Sequence, residues 1–89
     1  MALLDLLGKR WALRILWELR DAPLTFRALQ DACDGVSPSV LNSRLKSLKD
    51  ALFVETTADG YGLTPLGAEL QEKFGGLSQW SEKWATSLT

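Results

Sequence analysis

The sequence predicts a mainly α-helical domain that carries one small β-hairpin. Ser37-Pro38 and Thr64-Pro65 each pair a helix-capping hydroxyl with a proline suited to the first helical position, which indicates two helix starts. Asp59-Gly60 separates two short strand-like segments, as is typical of a hairpin turn. The 89 residues are enough for one domain, which we expect over 1–89.

Composition excludes several classes of function. The chain has no histidine and one cysteine, which rules out a Cys/His zinc site, a histidine-based triad and a disulfide framework within one chain. No nucleophile–base pair or phosphate-cradling glycine loop is present, so we predict no enzyme activity and no cofactor. No apolar run reaches the roughly 20 residues of a membrane span, and the N-terminus does not resemble a cleavable signal. We therefore expect a cytoplasmic protein without membrane contact.

Charge is distributed unevenly along the chain. Residues 1–49 contain eight basic and five acidic residues, whereas residues 50–89 contain two basic and six acidic ones. A basic half can bind polyanions through one face even when the whole chain is near neutral. The isoelectric point near 5.3 nevertheless argues against indiscriminate binding of nucleic acid.

The first two predicted helices are strongly apolar. Residues 3–7 form a short helix that ends near Gly8. A second helix over 9–20 is apolar almost all round, so we expect it to be buried on most sides. It ends before Pro23, because the residue preceding a proline avoids the helical region. Leu24-Thr25-Phe26 is too short for more than an edge strand.

A third and a fourth helix follow, joined by a tight turn. The third runs from residue 25 or 26 to Cys33, and Asp34-Gly35 supplies its stop. The fourth is predicted over 37–52, beginning with the Ser37 cap. We expect it to bury one stripe of leucines at 4-3-4 spacing: Leu41, Leu45, Leu48 and Leu52.

The C-terminal part predicts a hairpin and a long helix. Residues 53–58 and Tyr61-Gly62-Leu63 form the two strands, and a last helix over 65–88 is kinked or broken at Gly75-Gly76. The element order is therefore α-α-(β)-α-α-β-β-α. Two short helices joined by a turn and followed by a hairpin make a winged helix-turn-helix.

Several stretches of the chain resemble the HxlR-type winged-helix transcription regulators of the MarR-like group. They run through nearly the whole chain, from about residue 3 to 86: Leu6-Leu7-Gly8-Lys9-Arg10-Trp11, Phe26-Arg27-Ala28-Leu29, Val36 to Leu48, Leu63-Thr64-Pro65-Leu66-Gly67 and Trp80-Ser81-Glu82-Lys83-Trp84. The resemblance implies a prokaryotic homodimer that binds operator DNA, with 37–52 as recognition helix and 53–64 as wing. It also implies that the first helix and the last helix, 65–88, form the dimer interface.

The chain departs from the family pattern at three points. It lacks the N-terminal cysteine that many members use in sensing. Its wing is short and contains Asp59 but no basic residue, and Ser39 stands where the family often has lysine. These departures bear on DNA affinity and on sensing rather than on the fold.

The exposed face of the fourth helix supplies the candidates for reading bases. On a helical wheel four side chains lie away from the leucine stripe: Ser39, Asn42, Ser43 and Lys46. Hydroxyl, amide and ammonium groups can pair with base edges in the major groove. The alternative is an ordinary solvated helix face.

Six further residues are candidates for phosphate contacts: Arg10, Thr25, Arg27, Ser37, Arg44 and Lys49. Ser37 is first a helix cap, and the free N–H groups beside it can also hold a phosphate. The stem of Arg44 is expected to pack, while its guanidinium reaches either a phosphate or a carboxylate.

The two ends of the chain supply the predicted dimer interface. Its candidates are Leu3, Leu4, Leu7, Leu77, Trp80 and Trp84. A tryptophan stripe beyond Gly76 has little core of its own to cover, which favours a twofold contact with a second copy. In the alternative, the tryptophans fold back onto their own core.

Taken together, the sequence predicts a homodimeric regulator of double-stranded DNA. The alternative is a winged-helix protein-interaction module with weak or lost DNA binding, which the acidic wing favours. Cys33 ends a helix close to Asp31 and Asp34, so we expect a buried apolar side chain rather than a redox sensor. A small-molecule effector pocket between the dimer helices and the core stays open, since no residue identifies its ligand.

Overall fold

A computed structural model describes residues 2–88, so the outermost residues of the predicted domain 1–89 lie outside the described residues. Five helices and one hairpin follow each other in the order that the sequence predicts. The elements are α1 (Ala2–Leu7), α2 (Ala12–Glu18), α3 (Phe26–Ala32), α4 (Pro38–Asp50), β1 (Val54–Thr57), β2 (Gly60–Leu63) and α5 (Pro65–Ser87).

The core lies where α2 meets α1, α3 and α5, and the leucine stripe of α4 packs into the same core. Apolar side chains at helical spacing supply nearly all of it, which is the usual result of amphipathic helices packing together. The buried hydrophobic residues are Leu7, Ala12, Ile15, Leu16, Leu19, Leu29, Cys33, Val36, Leu41, Leu45, Leu48 and Val54. Within residues 2–88, no helix combines the length and the apolar character needed to cross a membrane.

The wing is an antiparallel hairpin fixed to the start of α3. Val54 pairs with Leu63 and Thr57 with Gly60, which leaves a two-residue turn at 58–59. Instead of an edge strand at 24–26, only Leu24 pairs, exchanging two backbone hydrogen bonds with Tyr61 at 2.8 and 2.9 Å. Gly60 has φ +122°, and a Cβ there would lie 2.6 Å from the carbonyl carbon of Leu24. Only glycine therefore suits the place where the wing meets α3.

The second helix is shorter and less buried than predicted. It begins at Ala12 rather than residue 9, because Trp11 adopts a left-handed conformation with φ 76° and residues 8–11 form a turn instead. It ends at Glu18 rather than residue 20. Leu13 and Trp17 are exposed, so the prediction of burial on most sides is wrong. Neighbouring elements cover only part of α2.

Leu52 does not belong to the buried stripe, and α4 ends before it. Ala51 is the C-cap, and Leu52 has φ 69° and is 66% exposed. The backbone N–H of Phe53 donates to the carbonyl of Leu48 at 3.0 Å, and that of Leu52 donates to Lys49 at 3.0 Å. These two bonds are the Schellman pattern that ends many helices in a left-handed residue. The leucine turns the chain toward β1 instead of extending the helix.

The last helix runs without a break through both glycines that were predicted to interrupt it. Gly75 and Gly76 lie within α5, which is helical from Pro65 to Ser87. Glycine lowers helix stability by about 1 kcal/mol relative to alanine but does not forbid the helical conformation. The prediction of a break at this point is therefore wrong.

Candidate nucleic-acid interface

The helix-turn-helix unit consists of α3, the turn 33–37 and α4. Thr25 caps α3 by accepting a hydrogen bond from the backbone N–H of Ala28 at 3.1 Å. Ser37 caps α4 by accepting from Val40 at 3.3 Å. Both hydroxyls satisfy N–H groups that the helix leaves without a partner. The sequence predicts this role for Ser37, whereas the cap at Thr25 was not predicted.

Two side chains from outside the turn hold it in place. Gln30 donates from Nε2 to the carbonyl of Val36 at 2.9 Å. Arg14 of α2 donates to the carbonyl of Ala32 at 2.7 Å and lies 3.5 Å from the carboxylate of Asp34. Arg14 thus ties the end of α3 and the turn before α4 to the core helix α2.

Arg14 also pairs with a carboxylate of its own helix, which keeps it charged. Its Nε lies 3.1 Å from Oε2 of Glu18. This hydrogen bond, together with the charge of Asp34, raises the pKa of Arg14 above its ordinary value, against a smaller opposing effect of burial. Arg14 therefore acts at the turn as a permanent cation.

The four predicted base-reading residues lie exposed on one face of α4. Ser39, Asn42, Ser43 and Lys46 all project away from the core, whereas Leu41, Leu45 and Leu48 are fully buried. Their contact with bases stays a prediction. An uninterrupted polar face on a helix capped by a hydroxyl has the form of a major-groove reading surface.

The phosphate candidates differ in what their side chains do. Arg27 is exposed on α3, close to the capping Thr25. Lys49 donates from Nζ to the hydroxyl of Thr56 at 3.0 Å and so ties α4 to the wing. Arg44 donates from Nε to the backbone carbonyl of Arg10 at 2.9 Å. Among the described residues Arg44 makes no ion pair, so the carboxylate alternative for its guanidinium is wrong.

The wing is held rigid but carries no positive charge. The hydroxyl of Thr57 donates to the carbonyl of Gly60 at 3.0 Å and accepts from the backbone N–H of Asp59 at 3.1 Å. The charged residues of the segment 53–64 are Glu55 and Asp59, both exposed. The hairpin therefore presents an acidic edge beside the recognition helix.

The terminal helices present large apolar side chains to solvent, except at one predicted position. Leu7 is only 6% exposed and belongs to the core of its own chain, so it has almost no surface left for a partner. The other predicted interface residues are exposed: Leu3, Leu4, Leu77, Trp80 and Trp84. The alternative in which both tryptophans fold back onto their own core is wrong, since they are 59% and 53% exposed.

A groove lies between α2 and α5, where the sequence left open an effector pocket between the terminal helices and the core. It encloses about 260 Å³ and is lined mainly by Leu13, Leu16, Trp17 and Phe74. The guanidinium of Arg20 lies 3.7 Å from the ring centre of Trp17 and covers part of it. The sequence did not identify the residues that line this groove, because an apolar pattern on all sides of α2 indicates burial and does not show which side lacks a neighbour.

Cys33 is fully buried at the C-terminal end of α3. Burial raises the pKa of its thiol, although the charge of Arg14 opposes the effect. The thiolate is the reactive form of cysteine, so this thiol is a structural apolar side chain, as the sequence predicts.

We expect Cys33 to resist alkylation in the folded protein. With iodoacetamide at pH 7.5 the native chain should remain unmodified for hours and should react fully within minutes in denaturant, as measured by intact mass. Because the chain has one cysteine, the denatured sample is its own control. Rapid modification of the native chain would show that the thiol is accessible.

The sequence and the fold have counterparts among known proteins. The HxlR-like helix-turn-helix family model matches residues 6–89. Over 88 residues the chain is 30% identical to the uncharacterised HTH-type transcriptional regulator MJ0925 of Methanocaldococcus jannaschii, covering 94% of this chain and 83% of that protein.

Two solved structures extend the likeness to three dimensions. Quinone-bound YodB from Bacillus subtilis superposes with a TM-score of 0.85 at 33% identity, covering 92% of this chain and 93% of that one. A possible HxlR family transcriptional factor from Thermoplasma volcanium superposes with a TM-score of 0.81 at 26% identity, covering 93% and 81%. The capped α3–α4 unit, the hairpin and the match over 6–89 agree: the chain belongs to the HxlR family of helix-turn-helix transcriptional regulators.

Proposed function

We propose that the protein is a sequence-specific DNA-binding regulator that acts as a homodimer with α4 in the major groove. The observation that carries the proposal is the exposed face of Ser39, Asn42, Ser43 and Lys46 on a helix whose start and preceding turn are both fixed. A preorganised helix loses little freedom on binding, so its polar groups can discriminate between bases.

Phosphate contacts position such a helix on the duplex. Thr25, Arg27 and Ser37 lie at the starts of α3 and α4, where the first backbone N–H groups of a helix can also hold a phosphate. Arg44 and Lys49 lie on α4 itself, and Arg10 lies beside the helix, where its carbonyl accepts a hydrogen bond from Arg44. Contacts of this kind set register and carry no sequence information themselves.

Dimerisation is supported by the apolar side chains that the single chain leaves uncovered. Leu3, Leu4, Leu77, Trp80 and Trp84 are all exposed on the first and last helices. A second copy related by a twofold axis would cover them and would present two recognition helices about one helical turn of DNA apart.

We place the protein in the cytoplasm, where its DNA is, and we include a small-molecule effector in the proposal. The support for the effector is the quinone bound to YodB. No residue of this chain identifies the effector's chemistry, and the buried thiol of Cys33 is not available to it in the folded protein.

The second candidate function is a winged-helix protein-interaction module with little affinity for DNA. The observation that favours it is the acidic wing, because Glu55 and Asp59 would approach phosphates unfavourably if the hairpin lay against the duplex. The two candidates differ in whether the protein distinguishes one duplex sequence from another.

Lys46→Glu is expected to abolish selective DNA binding and to leave the dimer intact. The change removes a base-edge donor and places a carboxylate in the groove, in both subunits. With a cost of about 1–3 kcal/mol for each lost base contact, we expect at least a 100-fold loss of affinity. The measurement is titration of duplexes enriched by the wild-type protein from a random pool, against a scrambled duplex of the same composition.

Lys73→Glu on α5 makes the same charge change at an exposed site away from the reading face, and serves as the control. Light scattering should give the same mass for both variants and the wild type. Unchanged binding by the Lys46 variant would contradict the major-groove assignment. Failure of the wild type to enrich any sequence would favour the protein-interaction module.

A further inference from the structure

We propose that the connector between α1 and α2 grips the DNA backbone on the side of the recognition helix opposite the hairpin. The connector comprises residues 8–11, Gly-Lys-Arg-Trp. In this arrangement Lys9 and Arg10 supply phosphate contacts that winged-helix proteins can obtain from a basic wing. The inference rests on the proposed function and names a second backbone-contacting surface for the same site.

The position of the connector follows from two hydrogen bonds on opposite flanks of α4. Arg44 donates to the carbonyl of Arg10 at 2.9 Å, and Lys49 donates to Thr56 of the hairpin at 3.0 Å. On a helical wheel Arg44 and Lys49 lie about 140° apart, on opposite sides of the buried leucine stripe. They therefore border the exposed face on its two flanks. The recognition helix is thus bordered by the hairpin on one flank and by the connector on the other.

Charge separates these two borders clearly. Lys9 and Arg10 are exposed, and neither forms an ion pair with any described residue. Asp5, one helical turn before Lys9, is the closest acidic residue in sequence and is paired with neither. With Arg44 the connector side carries three positive charges, whereas the hairpin side carries Glu55 and Asp59 against the single positive charge of Lys49. Phosphates are therefore attracted to the connector and repelled by the hairpin.

The connector is also held in one conformation. Trp11 is half-buried against the core with φ 76°, a left-handed conformation that a bulky residue keeps only when its surroundings enforce it. The N–H of Lys9 donates to Leu6 and that of Ala12 donates to Lys9, both at 3.2 Å. The guanidinium of Arg10 lies 5.7 Å from the centre of the Trp11 ring. Two exposed cations on a fixed backbone beside the reading face make a contact surface with little ordering cost.

The test is the salt dependence of DNA binding by Lys9→Gln/Arg10→Gln. Each phosphate contact contributes about 0.9 to the slope of log affinity against log salt concentration. Loss of two contacts in each subunit of a dimer should therefore lower that slope by about 3 to 4. The loss should be the same for enriched and scrambled duplexes, because phosphate contacts do not read sequence. Lys73→Gln/Lys83→Gln, which removes two exposed charges on α5, should leave the slope unchanged.

Two further comparisons decide the remaining outcomes. Lys9→Arg/Arg10→Lys keeps both charges and should keep the wild-type slope at unchanged dimer mass. An unchanged slope in the glutamine variant would overturn the connector proposal, and a wild type that still selects its sequence would leave the proposed function standing. A wild type that binds every duplex alike, with a lower slope for the glutamine variant, would support the connector and contradict sequence-specific function. A wild type that binds no duplex would overturn both proposals. A glutamine variant that binds DNA less well only because it has become monomeric would overturn the connector contact.

Discussion

Replacing Trp80 and Trp84 together by glutamate should convert the protein to a monomer and lower its affinity for DNA at least 100-fold. Both side chains lie one turn apart on α5 and expose more than half of their surface in the single chain. A fully covered tryptophan buries about 150–250 Å², and more than half of the surface of Trp80 and Trp84 is still exposed for a partner to cover. Four such side chains across a twofold axis make a substantial share of an interface. Because two linked half-sites gain about 10²–10⁴ in avidity, dissociation of the dimer removes that gain.

Sedimentation equilibrium at micromolar concentrations measures the oligomeric state, and circular dichroism checks that helix content is retained. Leu66→Glu is the control, since it introduces the same charge at a half-exposed leucine near the start of α5, away from the terminal turns. A Trp80/Trp84 variant that remains a dimer would contradict the terminal-helix interface. The groove between α2 and α5 would then be the next apolar surface to test.

The order of the elements could be predicted because local chemistry marks most of their starts. Thr25, Ser37 and Thr64 each accept a hydrogen bond from the N–H three residues later. One hydroxyl therefore marks the start of each of the helices α3, α4 and α5. Ser37 and Thr64 are followed by proline, which strengthens the signal. Signals of this kind depend on neighbours in sequence and survive into the folded state.

Ends and exposed faces were predicted less well, because they depend on distant contacts. Leu52 continues the spacing of the α4 stripe, yet the chain turns there to bring Phe53 and the hairpin back onto the core. Leu13 and Trp17 are as apolar as their buried neighbours, but the neighbouring elements leave them 39% and 44% exposed. Periodicity shows which residues can share a face and does not show what lies opposite that face.

The candidate site shows the same division. The exposed positions on α4 follow from the helical repeat, so Ser39, Asn42, Ser43 and Lys46 could be chosen from the sequence. The bond from Arg44 to the carbonyl of Arg10 joins residues 34 apart in the chain. No sequence pattern indicates a bond to a backbone carbonyl at that distance, and the flank of the reading face that it defines could not be predicted.

Gly67→Ala should destabilise the protein by about 3 kcal/mol, although the substitution places alanine in a helix. A Cβ at Gly67 would lie 2.9 Å from the carbonyl carbon of Phe53 and closer still to its oxygen. That oxygen accepts a hydrogen bond from the N–H of Thr64 at 3.1 Å, and the hydroxyl of Thr64 donates to the carbonyl of Leu52. The obstructing atoms belong to the backbone of Phe53, which these hydrogen bonds hold in place. To make room for the methyl group, α5 must therefore shift away from the segment that joins α4 to the hairpin. Overpacking of this kind typically costs about 1–3 kcal/mol or more.

Gly76→Ala is the matched control, because it makes the same change later in the same helix. Apart from its chain neighbours and the backbone of its own helix, no described atom lies within 4 Å of the position that its Cβ would take. Only the backbone preference then matters, and alanine should stabilise the helix by about 0.5–1 kcal/mol. Urea unfolding followed by circular dichroism measures both free energies of unfolding, and the two substitutions should change them in opposite directions. Equal stabilisation by both would mean that the start of α5 is not packed against the backbone of Phe53, and the wing and α5 would then lack the contact that fixes them to α4.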